Sequence, residues 1–159
     1  MSRLDFPFRK SMTIYIDQSG KVEYTSQDTV VAFSNGHSAS LLVKARDKRK
    51  IQNCFRQANK PDIFVYKTFA TLIFLLIRSE LKSIDRLIID TEYQGRESII
   101  KKHLLEAIWH SGADFSPKNI LFRQIGKKSG AHIKAISTFR KLQVPDMTLS
   151  MKDVFRWML

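Results

Sequence analysis

The chain has 159 residues, enough for one ordinary domain with a buried core, and its 43% hydrophobic and 26% charged residues are typical of a globular protein. Its 27 Lys and Arg against 15 Asp and Glu give a net charge of +12, which favours a polyanionic partner, most often nucleic acid and less often an anionic membrane surface. The single cysteine, Cys54, excludes an internal disulfide and a zinc site of paired cysteines, and indicates a reducing, cytoplasmic setting.

No secretory signal or membrane span is predicted. Residues 1–12 carry scattered charges without an apolar core. The most apolar segment, residues 63–77, contains Lys67 and is shorter than the roughly 20 residues that cross a membrane. We predict a single domain over residues 1–159, with its core at about 12–142 and a short helical addition at 146–159.

Three antiparallel strands are predicted in the first 45 residues. Residues 12–16 form the first strand. Its hairpin partner starts in the alternating segment 21–26 and continues through residues 29–33. An Asn-Gly pair at residues 35–36 then favours a tight turn into a third strand at 39–45.

Helices and strands alternate in the remainder of the chain. Pro61 and Asp62 suit the first turn of a long helix, and a short apolar run of the kind expected for a buried strand ends at Asp90. Ser150 and Asp153 have capping-box spacing, which predicts a short final helix. The predicted elements are a helix at about 61–82, a strand ending at 90, a helix at about 96–111, a strand at 119–125 and a helix at about 131–142.

This order predicts an α/β fold with a mixed sheet and helices on both of its faces. In the parallel part of such a sheet, ligands bind at the carboxyl ends of the strands. Asp17 ends the first predicted strand and Asp90 ends the fourth. If these two strands are parallel neighbours, their carboxylates meet at one edge of the sheet.

Three motifs, IYIDQSG, LIIDTEYQGRE and SGAHIKAISTF, resemble those of the ribonuclease H-like superfamily over roughly residues 12–142. The first motif is similar to the opening of RuvC-type resolvases and to a branch of the superfamily that begins Asp-Glu-Ser-Gly. The resemblance implies a ribonuclease H-like mixed sheet of five strands, in the order β-β-β-α-β-α-β-α.

The resemblance also implies a nuclease that hydrolyses phosphodiester bonds by a two-metal mechanism with Mg²⁺ or Mn²⁺. It assigns the central carboxylates to Asp17 and Asp90, and a third catalytic position to His132. Glu92 and Asp62 are further candidate metal ligands. Each residue also has a simpler interpretation, because Asp17 and Asp90 suit turns and His132 suits the start of a helix.

Two basic segments are candidates for nucleic-acid binding. Residues 44–50 hold five cations in seven positions, and residues 123–141 contain no acid. Such side chains bind backbone phosphates without reading sequence. The candidate residues are Lys44, Arg46, Lys48, Arg49, Lys50, Arg123, Lys127, Lys128, Lys134, Arg140 and Lys141.

Two alternative functions stay open at this point. Gln18 stands where relatives often have a second acid, and residues 123–145 lack one, which fits a nucleic-acid-binding module whose catalytic site is degenerate. The other alternative is a basic subunit of a larger protein or RNA assembly that docks through residues 154–159. Core packing explains that C-terminal segment equally well.

Overall fold

A computed structural model describes residues 12–158 of the chain. The first part is an antiparallel meander of three strands, β1 (Thr13–Ser19), β2 (Thr29–Ser34) and β3 (Ser38–Val43). The expected turn at residues 35–37 joins β2 to β3. Residues 21–26 form turns rather than a strand, because Lys48 binds backbone carbonyls of this segment that a sheet ladder would otherwise use.

Two helices follow the meander. Helix α1 (Ala45–Gln57) lies in the basic segment for which no element was predicted. A short 3₁₀ turn (Pro61–Ile63) then leads into α2 (Phe64–Ile77), and a second 3₁₀ segment (Arg78–Ser83) completes the long helical region that was predicted. No helix within residues 12–158 is long and apolar enough to cross a membrane.

The second half alternates strands and helices as predicted. Its elements in chain order are β4 (Arg86–Asp90), α3 (Glu97–His110), a 3₁₀ turn (Pro117–Asn119), β5 (Ile120–Arg123), α4 (Gly130–Phe139), β6 (Met147–Leu149) and α5 (Met151–Phe155). Ser150 and Asp153 form the expected capping box at the start of α5.

All the strands of the described region form one mixed sheet in the order β5-β4-β1-β2-β3-β6. Strand β4 is parallel to both β1 and β5, and β6 is parallel to β3. The expectation of five strands is therefore wrong by one. Strand β6 has only three residues, and it is held at the sheet edge where Asp146 accepts a hydrogen bond from the backbone of Ser40 at 2.8 Å.

Helices cover both faces of the sheet, because side chains alternate along each strand. Val31 and Phe33 of β2 enter the large core that also contains residues of α1, α2 and α3. Their neighbours Val30 and Ala32 point to the opposite face and pack against Ala135 of α4. The α4 side of the sheet is the side that matters for the candidate site.

The C-terminal segment packs into the protein, which contradicts its use as a free docking element. Val154 and Met158 are buried in the main core. The Trp157 ring lies 5.1 Å from the Phe74 ring, and the Arg78 guanidinium lies 4.5 Å above the Trp157 ring. Leu159 lies outside the described residues.

Candidate metal centre

Asp17 is a buried carboxylate near the carboxyl end of the central strand β1. Its Oδ1 accepts a hydrogen bond from the Gln18 backbone N–H at 2.8 Å, and its Oδ2 lies 2.8 Å from His132 Nδ1. Burial raises the pKa of Asp17 and the nearby charge of Asp90 adds to the rise, whereas the hydrogen bonds from His132 and Gln18 oppose it. The Asp17 carboxylate is therefore fixed by hydrogen bonds, while burial and the charge of Asp90 disfavour its ionised form.

Asp90 reaches the same place from β4. Ile16 of β1 and Ile89 of β4 are partners in the parallel register, so the residues that follow them lie side by side. The loop after β5 orients Asp90, because the Ile125 backbone N–H donates to its Oδ1 at 2.9 Å. The parallel pairing on which the sequence argument depended is confirmed.

Glu92 joins the pair by a turn rather than by an extension of the strand. Strand β4 ends at Asp90, and the Glu92 backbone N–H donates to the Asp90 carbonyl at 2.9 Å, which is the contact of a three-residue γ-turn. Burial and the hydrogen bonds shared with Asp90 and Asp17 raise the pKa of Glu92 to about 8. While it keeps its proton, the Glu92 carboxyl can donate a hydrogen bond to Asp90 or Asp17.

The three carboxylates form a compact cluster that can hold a metal ion. One oxygen from each of Asp17, Asp90 and Glu92 lies within 4.8 Å of the others. They line a cavity of about 290 Å³, together with His132 and the loop residue Lys127. Burial, first of all, raises the pKa values of Asp17 and Glu92, and hard oxygen donors of this kind suit a divalent cation.

His132 lies in the first turn of α4, where Ser129 caps the helix by accepting from the Ala131 backbone N–H. Its side chain is 29% exposed, so one edge of the ring is open to the cavity while Nδ1 contacts Asp17. The structure thus brings His132 to the carboxylates, as the resemblance implied. The simpler interpretation of a helix-entry histidine without a specific partner does not fit this contact.

Gln18 directs its side chain away from the cluster. Its Nε2 donates to the Tyr93 hydroxyl at 2.9 Å, and that hydroxyl donates to Glu23 Oε1 at 3.0 Å. The Tyr93 ring packs against Phe69 of α2, on the other side of the sheet. A carboxylate at position 18 would accordingly point away from Asp17.

Asp62 is the one candidate ligand that the structure places elsewhere. It lies exposed in the 3₁₀ turn before α2, on the face of the sheet opposite α4, and it is not part of the group formed by the other three acids. The start of α2 does approach the end of β4, since Tyr66 in its first turn lies 5.7 Å from the Tyr93 ring, but it does so on the other face of the sheet, so Asp62 does not join the cluster.

Most of the basic candidates lie at the surface, but Lys48 does not. Lys48 is fully buried, and its ammonium donates to the carbonyls of Lys21 (3.2 Å) and Tyr24 (2.8 Å). Burial lowers the pKa of Lys48 to about 8. Lys134 forms an ion pair with Asp146, whose Oδ2 lies 3.5 Å from the Lys134 Nζ, and is therefore less available to a phosphate. The exposed members are Lys44, Arg46, Arg49, Lys50, Arg123, Lys127, Lys128, Arg140 and Lys141.

Sequence reasoning missed two contributions to the site. The Ile125 backbone N–H orients Asp90, and a main-chain donor in a loop leaves no mark in the sequence. Lys127 was noted only as one cation of a basic segment, although it lines the carboxylate cavity. Its distance from the three carboxylates depends on the path of the loop between β5 and α4.

Comparison with known proteins adds no relative to this description. No protein-family model, no curated protein and no solved structure matches the chain. The functional argument therefore depends on the geometry of the site.

Proposed function

We propose that this chain is a ribonuclease H-like domain that binds nucleic acid and hydrolyses its phosphodiester bonds with divalent cations. The proposal is supported by the position of β1 and β4 as parallel neighbours, which the resemblance requires if Asp17 and Asp90 are to share a site. The sixth strand is added at the far edge, beside β3, and leaves this arrangement untouched.

The observation that carries the proposal is the group of three carboxylates within 4.8 Å at the carboxyl ends of these strands. Carboxylate oxygens are the ligands that Mg²⁺ and Mn²⁺ prefer. A purely structural role does not explain the cluster, because burial beside other carboxyl groups raises the pKa values of Asp17 and Glu92 and makes their ionised forms unfavourable in the folded protein.

Each residue has a definite task in this proposal. Asp17, Asp90 and Glu92 hold the cations, and His132 orients Asp17 through their 2.8 Å contact. Lys127, at the cavity, contacts a backbone phosphate of the substrate. The bound cations supply the Lewis-acid activation of water and the stabilisation of the leaving oxygen that characterise two-metal hydrolysis.

One contact favours a second candidate, a nucleic-acid-binding module without catalysis. Both oxygens of Asp17 already have hydrogen-bond partners, Gln18 N–H and His132. If His132 kept this contact permanently, one of the oxygens needed for a bridging ligand would stay occupied. Gln18 itself does not favour this candidate, since its side chain points to Tyr93.

A cleavage assay tests the proposal. The protein is incubated with labelled single-stranded, duplex, hybrid and branched substrates in Mg²⁺, Mn²⁺ or EDTA. We expect metal-dependent cleavage that Asp17→Asn reduces at least about 100-fold and that Asp62→Asn, the matched control outside the cluster, leaves unchanged. Cleavage that persists in Asp17→Asn contradicts the site, and tight binding without cleavage in any metal supports the second candidate.

A further inference from the structure

A groove of about 870 Å³ lies next to the carboxylate cluster on the α4 side of the sheet. Its floor contains Thr13 and Tyr15 of β1, and its walls are the turn after β2 (residues 34–36), Ile125 and the start of α4. The volume lies in the range of pockets that enclose a small organic ligand.

The groove is adjacent to the carboxylate cluster. Tyr15 and Asp17 are two positions apart on one strand, so their side chains share a face and lie about 7 Å apart along it. Ile125, in the loop after β5, lines the groove, and its backbone N–H donates a hydrogen bond to Asp90. A chain that lies in the groove therefore leads to the carboxylates.

Tyr15 is an unusual residue for the floor of such a groove. It is 40% exposed although it lies in the middle of the central strand, between Ser34 of β2 and Ile88 of β4. The groove around it is lined mainly by Ser, Thr, Asn and Gly, which leave the aromatic side chain accessible. A single exposed aromatic residue needs no explanation on a convex surface, but Tyr15 lines a concave groove two positions from Asp17 on the same strand.

We propose that this groove binds unpaired nucleotides of a single-stranded nucleic acid, with one base stacked on Tyr15 and the backbone leading to the carboxylate cluster. This inference rests on the proposed function and specifies its substrate class. Bases in a duplex are stacked on one another and offer no free ring face, whereas the bases of a single strand stack readily on aromatic side chains.

The charges around the groove fit a polyanionic strand. Lys127 and Lys128 are exposed in the loop that joins Ile125 to the start of α4. Arg123 is the register partner of Asp90 on β5 and is exposed at the same edge. Three cations thus border the path from the groove to the acids, where they offset the repulsion between the phosphates and the cluster.

Binding without cleavage tests this inference. Fluorescence anisotropy in EDTA measures the affinity of labelled single-stranded RNA, single-stranded DNA and a duplex of the same sequence. We expect Tyr15→Ala to weaken single-strand binding about 5- to 100-fold, in line with the loss of one stacked base, and Tyr15→Phe to stay within about 2-fold of wild type. Tyr24→Ala, which removes a 56% exposed ring in the turn after β1 and outside the groove, is the matched control and leaves binding unchanged.

A crosslinking experiment on the wild-type protein removes any dependence on the folding of a variant. A single strand that carries 5-iodouracil is irradiated with the protein, and the modified residue is identified by mass spectrometry. Crosslinking to Tyr15 supports the inference. Single-strand affinity that is equal in Tyr15→Ala and wild type, or crosslinks that fall outside the groove, overturns it.

The outcomes also separate this inference from the proposed function. Tyr15-dependent single-strand binding without cleavage in any metal contradicts the nuclease and keeps the groove. Metal-dependent cleavage with no effect of Tyr15→Ala on single strands keeps the nuclease and contradicts the groove. A difference between RNA and DNA in the same assay assigns a role to the 2′-hydroxyl.

Discussion

Replacing Glu92 by Gln tests the electrostatics of the cluster without its metal. The amide stays neutral at every pH and keeps a hydrogen-bond donor for Asp90 and Asp17, as protonated Glu92 does. Glu92 has a pKa of about 8 in the folded protein against 4.5 ordinarily. Below pH 4.5 Glu92 is protonated in the folded and in the unfolded protein, so its ionisation does not reduce the free energy of unfolding. As the pH rises from 4.5 to 8, the unfolded chain releases the proton and the folded protein keeps it, so stability falls.

The size of this effect follows from the rise in pKa. For a fully buried group, a rise from 4.5 to about 8 corresponds to about 5 kcal/mol. The cluster lines an open cavity, and screening by water lowers the expected effect to about 2 kcal/mol. Glu92→Gln is therefore expected to raise the free energy of unfolding by about 2 kcal/mol at pH 8, or about 4–8 °C in Tm, and to change little at pH 4.5.

Thermal unfolding followed by circular dichroism in EDTA, at several pH values from 4.5 to 8, measures this difference. Asp62→Asn removes an exposed carboxylate outside the cluster and serves as the control, with no pH-dependent gain. A rise in Tm for Glu92→Gln that is the same at pH 4.5 and pH 8, or a lower Tm at pH 8, would refute the raised pKa of Glu92.

Four further results are expected. Mn²⁺ raises the Tm at about pH 8 by several degrees and much less at about pH 6, because the acids must release protons to bind it, and Asp17→Asn abolishes the rise in the same scans. Gly20→Ala places a Cβ against Phe139 at a residue with φ 74°. It is expected to lower the free energy of unfolding, measured in urea, by at least about 2 kcal/mol more than Gly36→Ala, because Gly36 also has a positive φ but has open space around it. Lys48→Ala costs about 3 kcal/mol, because the carbonyls it binds lose their donor, and it leaves salt-dependent nucleic-acid binding unchanged. Gln18→Glu buries a charge beside Tyr93, so it destabilises by about 3 kcal/mol without tightening Mn²⁺ binding in a titration.

Long apolar runs made much of the fold predictable from the sequence. Strand β4 contains three consecutive buried apolar residues and most residues of helix α2 are apolar, so these runs and their bounding residues identify both elements without tertiary information. Asp90 ends β4 as expected, whereas β1 continues to Ser19, two residues beyond the strand end that was expected at Asp17. The parallel pairing that joins them was an inference from the order of elements, and the register confirms it.

Two of the failures share a physical cause, which is the burial of polar groups through distant partners. Helix α1 was missed because the side of the helix that packs inward includes Lys48 and Asp47 beside Ile51 and Phe55. Asp47 accepts the backbone N–H of Met151, 104 positions away, and a pattern of local hydropathy cannot show this. Lys48 was assigned to the surface for the same reason.

The geometry of β1 shows why an acid at position 18 would not join the carboxylate cluster. Alternation along the strand sends Tyr15 and Asp17 toward α4, and it sends Ile16 and Gln18 toward the core under α2. An acid at position 18 would have to be buried against Tyr93, where the local acceptor is already Glu23. An amide suits this position because its Nε2 donates to the Tyr93 hydroxyl without adding a charge. The residue at position 18 is therefore constrained by packing on the α2 side of the sheet, while the three acids that could hold a metal, Asp17, Asp90 and Glu92, lie together on the α4 side.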